Sequence, residues 1–459
     1  MVQTFEKKSK EKQGNPLPKK IGVVSLGCPK NLTDSEVMMG SLRQAGYEVT
    51  SHVEEADAVV VNTCSFLQAS VQESLDTIHE MTRLKKTGRC QQVIVAGCLV
   101  ERYGEKLLQD LPQVDGFLGG GHLTQVSDLL QKPMGKKKML LGNGTALYSH
   151  ETPRVKGTNP WTAYVKISEG CDHTCAFCTI PSIRGKFKSR KIESVVAEVE
   201  ALVSHGLKEV VLVAQDSTMY GLDVYGKLVL DELLAALGKV KELSWIRVLY
   251  GYPSQLSQKM IQEIVENEKV VPYFDMPIQH ASSEVLHRMK RGYGKGTIQK
   301  IVQSFRKESP DFAIRTTVIV GFPGEKEEHV AELLSFLEEV HFDHVGAFVY
   351  SNEPGTAAAC LEEQVPDAVK EERYHRVMEK QQGLSLERNA RFVGKTLPVL
   401  VESQVSERPL TYRGRSFRDA PEIDGSVLFE SCQPISLGTF VPVRIREARP
   451  YDLIGGQVT

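Results

Sequence analysis

The stretch EGCDHTCAFCTIPSIRG, residues 169–185, sets Cys171, Cys175 and Cys178 in a CxxxCxxC spacing with no fourth cysteine close behind. Structural zinc and ordinary iron–sulfur sites take four protein ligands. Three thiolates instead can hold an iron–sulfur cube and leave one iron open to a small chelating molecule. Zinc stays open as an alternative at this point, with His173 as a fourth donor. The loop leaves a β-rich run, AYVKISEG (163–170), and the chain beyond it repeats the pattern of strand then helix. EVVLVAQD (209–216), WIRVLYGYP (245–253), YFDMPIQH (273–280), AIRTTVIVGFPG (313–324) and HVGAFVYS (344–351) read as buried strands, with IESVVAEVEALVSHG (192–206) and EHVAELLSFLEEVH (328–341) among the helices between them. Six βα units over 157–390 predict a partial, open (β/α)6 barrel. Chemistry in such barrels sits at the carboxyl ends of the strands, where this loop emerges.

Upstream, IGVVSLGC (21–28), ADAVVVNTC (56–64), QQVIVAGC (91–98) and VDGFLGG (114–120) alternate with helical patterns over 34–46 and 70–86. That alternation predicts a parallel-sheet α/β domain over 21–150, including a Gly-, Pro- and Lys-rich linker. Three of its strands end in cysteine: Cys28, Cys64 and Cys98, spaced 36 and 34 residues apart. Ligands in open α/β sheets bind beyond the strand carboxyl ends, so three thiols delivered there can converge. Cys90, Cys360 and Cys432 show no ligand spacing. Downstream, TLPVLVES (396–403), GSVLFES (425–431) and FVPVRIREA (440–448) predict a small all-β barrel over 391–459.

Composition narrows the class. The 459 residues are 41% hydrophobic and 25% charged with a formal net charge of −2, so the chain as a whole is no electrostatic binder of nucleic acid. No apolar run reaches the roughly 18 residues of a membrane span. Nine cysteines without a secretion signal point to a reducing compartment, the cytoplasm, rather than to a disulfide framework. Residues 1–20 are basic and polar and read as a disordered leader.

CxxxCxxC at the end of a first barrel strand resembles the cluster motif of the radical S-adenosylmethionine superfamily, and VIVGFPGE (318–325) is similar to its glycine-containing cofactor strand. Two three-cysteine sets in one chain make the whole resemble the methylthiotransferases of that superfamily, whose third domain is of the TRAM type. The resemblance implies a 4Fe-4S cluster on Cys171, Cys175 and Cys178 and a second on Cys28, Cys64 and Cys98. It implies S-adenosyl-L-methionine as both methyl donor and radical source, with an electron-donor protein as partner. Gly321 and Gly324 would let backbone approach the adenosine. Gln215, ending the second barrel strand, would contact the cofactor, and Arg184 would face its carboxylate.

SLGCPKNLTDSE (25–36), AQDSTMYG (214–221), YFDMPIQHASSEVLHRMKRG (273–292) and GRSFRDAPEIDG (414–425) look like the branch that modifies a ribosomal protein rather than transfer RNA. The implied substrate is the β-carbon of an aspartate in the twelfth small-subunit protein; the alternative is a transfer RNA adenosine. Asp419, Glu422 and Asp424, close together in a near-neutral third domain, are expected to form an acidic face for a basic protein partner.

Overall fold

A computed structural model describes residues 19–131, 138–142 and 147–458; the expected leader lies almost wholly outside them, as does part of the linker. The first sheet holds β1 (Lys20–Ser25), β2 (Glu48–Thr50), β3 (Ala58–Thr63), β4 (Gln92–Gly97), β5 (Gly116–Leu118) and β6 (Lys138–Leu140). All pair in parallel, in the order β2-β1-β3-β4-β5-β6. β3 and β4 are buried along their whole length. Val59, Val61, Val93 and Val95 meet Ile78 and Met81 of the helix Gln68–Thr87 on one face. Ala58, Val60, Ile94 and Ala96 meet Val37, Met38 and Leu42 of the helix Pro29–Gln44 on the other. Burial on both faces explains the unbroken apolar runs. β2 and β6 were not legible in the sequence, being three-residue edge strands with no buried position.

The central sheet contains β7 (Thr162–Lys166), then, after a two-residue antiparallel pair β8 (Ser168–Glu169) and β9 (Lys188–Ser189), β10 (Glu209–Val213), β11 (Trp245–Val248), β12 (Val270–Asp275), β13 (Ala313–Val320) and β14 (His344–Val349). Its order is β7-β10-β11-β12-β13-β14, parallel throughout and open, as the six strand-like runs predict. The β8–β9 pair clamps the base of the cysteine loop. The last domain is a closed barrel, β15-β16-β17-β19-β18, of β15 (Thr396–Glu407), β16 (Leu410–Arg415), β17 (Val427–Glu430), β18 (Phe440–Ala448) and β19 (Leu453–Gln457). β16 and β19 extend the three runs seen in the sequence. β19 contains Gly455 and Gly456, a composition depleted in strands, because Arg444 and Val443 of β18 leave no space for a Cβ at Gly455. No helix among the described residues is long and apolar enough to cross a membrane.

The linker is less independent than its composition suggests. Arg154 pairs with Glu36 of the first domain and, at 2.6 Å, with Glu198 of the second. The backbone N–H groups of Val155 and Gly157 donate to the Glu36 carbonyl and carboxylate, each at 3.0 Å. Tyr148 donates to Asp34 at 3.0 Å. Residues 148–157 thus strap the helix Pro29–Gln44 to the central sheet.

Residues 415–424 of the third domain enter the amino-terminal mouth of the open barrel. Phe417 and Ala420 pack with Tyr164, Val211, Val213, Leu249 and Tyr273 in its lumen. Arg247 binds Glu209 at 2.9 Å and donates to the Phe417 carbonyl at 2.7 Å; Arg415 takes the other Glu209 oxygen. Tyr164 donates to the Pro421 carbonyl at 3.1 Å. This plug corrects the expected acidic face. Asp419 is 1% exposed and accepts from the Ser416 hydroxyl at 2.8 Å. Asp424 accepts from Tyr273 at 2.7 Å and pairs with Arg315 at 3.3 Å. Burial opposes its charge, yet His344 and Arg315 hold its carboxyl below the usual range. Only Glu422 reaches the surface. Counter-charges from the barrel strands, far off in sequence, draw the two aspartates inward.

Burial likewise works against the Glu209 charge, and Arg415 and Arg247 more than offset it, leaving the carboxyl below its ordinary 4.5. A depressed carboxyl stabilises the fold above its unfolded pKa, and that stability is lost as pH falls through the folded value. Glu209→Gln should strand two buried guanidiniums and cost about 3–5 kcal/mol of unfolding free energy at neutral pH. Urea titration should show a lower midpoint and a smaller loss of stability on acidification below about pH 4 than in the parent protein.

Candidate active site

The cysteine loop begins where β8 ends. Its base closes through the Cys171 N–H, which donates to the Gly185 carbonyl at 3.1 Å, and its tip turns through a Cys178 N–H bond to the Cys175 carbonyl at 3.1 Å. Cys171 is buried; Cys175 and Cys178 are half-buried. Burial pushes the Cys171 thiol up to about 11 and Cys178 up to about 12, and in both Cys175 adds to the rise. Thiols such as Cys171 and Cys178, which burial keeps protonated, are suited to a cationic centre that binds them as thiolates. Arg291 supplies a further cation, its Nη1 3.2 Å from the Cys175 sulfur and its guanidinium 4.0 Å above the Tyr252 ring. His173, the candidate fourth zinc ligand, is engaged elsewhere: Nε2 lies 2.6 Å from Asp216 Oδ2 and the ring stacks on Tyr252 at 4.0 Å. Among the described residues no three His, Cys, Asp or Glu side chains close around a single ion. With His173 held by Asp216 and Tyr252, the loop offers three thiols and no fourth ligand of its own, a donor set that suits a cube with one open iron.

Cys28, Cys64 and Cys98 follow β1, β3 and β4, adjacent strands in the sheet. Cys28 is the N-cap of the helix Pro29–Gln44 and Cys98 opens the helix Cys98–Tyr103. Gly27, at φ +87°, turns the chain so tightly that a Cβ there would stand 2.7 Å from that of Cys64. The Ser74 hydroxyl bridges the Cys64 backbone, donating to its carbonyl at 2.8 Å and accepting from its N–H at 3.2 Å. Burial raises Cys98 to about 11 against the pull of Arg184, and Cys28 and Cys64 add to the rise. Burial also opposes the Cys28 charge, but Lys30 and Arg184 bring that thiol below its ordinary value. The three strand-end thiols therefore share one electrostatic neighbourhood.

Arg184 joins the two sets. Its Nη2 is 3.4 Å from the Cys98 sulfur and 3.2 Å from Asp34, and contacts Asn31, while Nη1 is 3.0 Å from Glu169, two residues before Cys171. Lys166 pairs with Asp34 at 2.6 Å and with Glu169, completing a buried group of two carboxylates and two cations. Arg184 was expected to face a cofactor carboxylate; the structure commits it to these carboxylates and to Cys98. Gln215 donates to Glu169 at 2.9 Å, and its Oε1 is buried with no hydrogen-bond partner. Gly321 and Gly324 both have positive φ, and a Cβ at either would strike the Lys370 or Arg288 side chain at 2.2 Å. Local packing thus accounts for both glycines without reference to a ligand.

Sequence reading passed over several residues here. Arg291 lies inside a quoted motif but approaches Cys175 only through the fold. Arg102 and Glu353, 2.7 Å apart and both nearly buried, clasp the first domain to the loop after β14; Arg102 also donates to the Ser65 carbonyl, beside Cys64. Glu353 accepts in addition from the Gln68 N–H at 2.8 Å. No local signal marks either partner.

Residues 20–119 match the family described as "Uncharacterized protein family UPF0004", residues 165–337 the radical SAM superfamily, and residues 393–458 the TRAM domain. The chain is 46% identical to the ribosomal protein uS12 methylthiotransferase RimO of Desulforamulus reducens over 95% of this chain and 98% of that protein. It is 46% identical to the RimO of Pelotomaculum thermopropionicum over 96% and 99%. Among solved structures, the radical S-adenosylmethionine methyltransferase TsrM from Kitasatospora setae superposes with a TM-score of 0.53 at 13% identity, covering 83% of this chain and 80% of TsrM, a likeness of fold alone. With its two sets of three thiols and its near-full-length kinship, the chain belongs to the RimO-type methylthiotransferases of the radical S-adenosylmethionine superfamily.

Proposed function

We propose that this protein methylthiolates the β-carbon of an aspartate in ribosomal protein uS12, using two 4Fe-4S clusters and S-adenosyl-L-methionine. The observation that carries this reading is the second thiol set, Cys28, Cys64 and Cys98, at the ends of adjacent strands and joined through Arg184 to the neighbourhood of Cys171. When bound, the clusters supply the electron that cleaves the cofactor and carry the sulfur that is transferred. Cys171, Cys175 and Cys178 hold the first cluster, with Arg291 placing positive charge beside it. Cys28, Cys64 and Cys98 hold the second. The Gln215 Oε1 is a buried acceptor at the strand end, available to the cofactor or substrate. A cytoplasmic location and a separate electron-donor protein complete the reading.

Recognition of the ribosomal protein falls to surfaces other than Asp419 and Asp424, which are spent on the plug. Arg415 and Arg418 are likewise buried and unavailable to nucleic-acid phosphates, which weighs against the transfer RNA alternative.

Replacing Cys171, Cys175 and Cys178 together with alanine should leave about half the iron of the reconstituted protein and abolish 5′-deoxyadenosine formation. Replacing Cys28, Cys64 and Cys98 should remove the other half and retain cofactor cleavage. Full iron content in either triple variant would refute the two-cluster assignment.

The substrate is tested by mass spectrometry of uS12 from cells with and without this gene. An aspartate carrying a methylthio group in place of one hydrogen should disappear with the gene. Loss of methylthio-adenosine from transfer RNA, with uS12 unchanged, would favour the alternative.

A further inference from the structure

The central sheet is open and so has a free edge at each end, β7 and β14. Backbone groups of alternate residues in a parallel strand point to opposite sides. In β7 the Trp161 carbonyl and the Ile167 N–H bond toward β10, so the carbonyls of Thr162, Tyr164 and Lys166 point out of the sheet. Each is taken by a cationic side chain: Lys156 at 2.6 Å, Arg154 at 2.6 Å and Arg190 at 3.0 Å. That edge is sealed.

The β14 edge is not. Thr317 and Ile319 of β13 bond to Gln279 on the β12 side, and the Tyr350 N–H donates to the Val320 carbonyl at 2.9 Å. Gly346 and Phe348, in register with Thr317 and Ile319, are therefore the residues that bond to β13, and the backbone groups of Val345, Ala347 and Val349 point outward. Among the described residues nothing bonds to these outward groups. Phe348 faces the lumen side with Ile319 and is 50% exposed, while Gly346 leaves the space beside Arg315 and Thr317 unfilled. An unblunted edge with an exposed aromatic side chain is a template for a further strand. Beyond Val349 the chain leads to Glu353, which holds Arg102 and through it the Ser65 carbonyl, next to Cys64. The free edge thus runs into the mouth that carries both thiol sets. The amino-terminal mouth is closed by residues 415–424, and the other edge by the strap and the helix Pro29–Gln44.

We propose that the segment of uS12 carrying the target aspartate adds to the free edge of β14 as an extended strand, with an apolar side chain of that segment against Phe348. This assignment rests on the functional reading given above. Main-chain bonds to Ala347 and Val349 supply affinity without regard to sequence, and the contact with Phe348 fixes the register. Because side chains alternate along a strand, register decides which of them face the lumen and the thiol sets. The edge therefore acts in presenting the aspartate, and the chemistry stays with the groups at the mouth.

The test uses the full-length reconstituted enzyme with and without saturating uS12. In hydrogen–deuterium exchange, residues 345–349 should gain protection at about two amides when uS12 is bound. Two variants probe the same edge by kinetics. Ala347→Pro removes one outward N–H at an edge position that accommodates proline. Phe348→Ala removes the apolar contact and leaves the backbone as it is. Each should raise KM for uS12 about tenfold, the size of a hydrogen bond or of a partly buried apolar side chain. Turnover at saturation should stay within about twofold of wild type. Iron content and 5′-deoxyadenosine release without uS12 should match wild type, since neither thiol set is touched. Should Ala347→Pro lose iron, Phe348→Ala alone carries the kinetic test. No added protection over 345–349 at saturating uS12 would overturn the assignment, as would an unchanged KM in Phe348→Ala. Protection of the same amides on raising enzyme concentration alone would give the edge to a second copy of this chain and overturn it too. Wild-type enzyme that forms no methylthio-aspartate would instead remove the functional reading itself, whatever the exchange pattern.

Discussion

The arrangement turns on a buried guanidinium. Arg184 lies at the seam of two domains with carboxylates from both sides, Asp34 and Glu169, and with the Cys98 sulfur against its edge. Lys166 balances the second carboxylate charge, so the group is close to neutral and its desolvation is compensated internally. Because a guanidinium is planar and presents its donors in a fixed fork, it sets distance and angle together. Asn31, which Arg184 contacts, also donates to the Leu26 and Thr63 carbonyls at 3.0 and 2.9 Å, the turns that carry Cys28 and Cys64. Charge pairing and thiol placement are thus one network, and neither domain sets its thiols independently of the other.

Two further seams hold this geometry in place. On one side Arg154 and the backbone of the strap bind Glu36. On the other, Arg102 and Glu353 join the turn after Cys64 to the loop after β14. At the opposite end of the barrel, the third domain closes the lumen with Phe417 and Ala420 ringed by paired arginines. The open sheet, which has no eighth strand to close it, is bounded at its amino-terminal mouth by this borrowed segment. Its carboxyl-end mouth stays free for chemistry.

Much of this was legible in the sequence, for identifiable reasons. β3 and β4 are apolar on both faces and so stand out as continuous runs. The CxxxCxxC spacing is local, and the other three cysteines are marked by recurring at strand ends. What escaped was set by partners remote in the chain. Arg184 looked like a cofactor contact because nothing near it in sequence shows Asp34 or Cys98 as neighbours. Asp419 and Asp424 looked like a solvated cluster because Ser416 gives little hint of a fold-back and Arg315 lies over a hundred residues away. Charge clusters read as surface whenever their counter-charges belong to another domain. β2 and β6 were missed because edge strands so short carry no periodicity.

The plug also bears on the order in which the protein can be made. Residues 415–424 come near the end of the chain, whereas Glu209, Arg247 and Arg315, which they complete, come far earlier. A ribosome therefore releases the whole barrel before the segment that seals it. During that interval, buried charges at the amino-terminal mouth lack part of their pairing and the lumen lies open to water. The amino-terminal mouth of the radical domain therefore reaches its final pairing only once the third domain has been made.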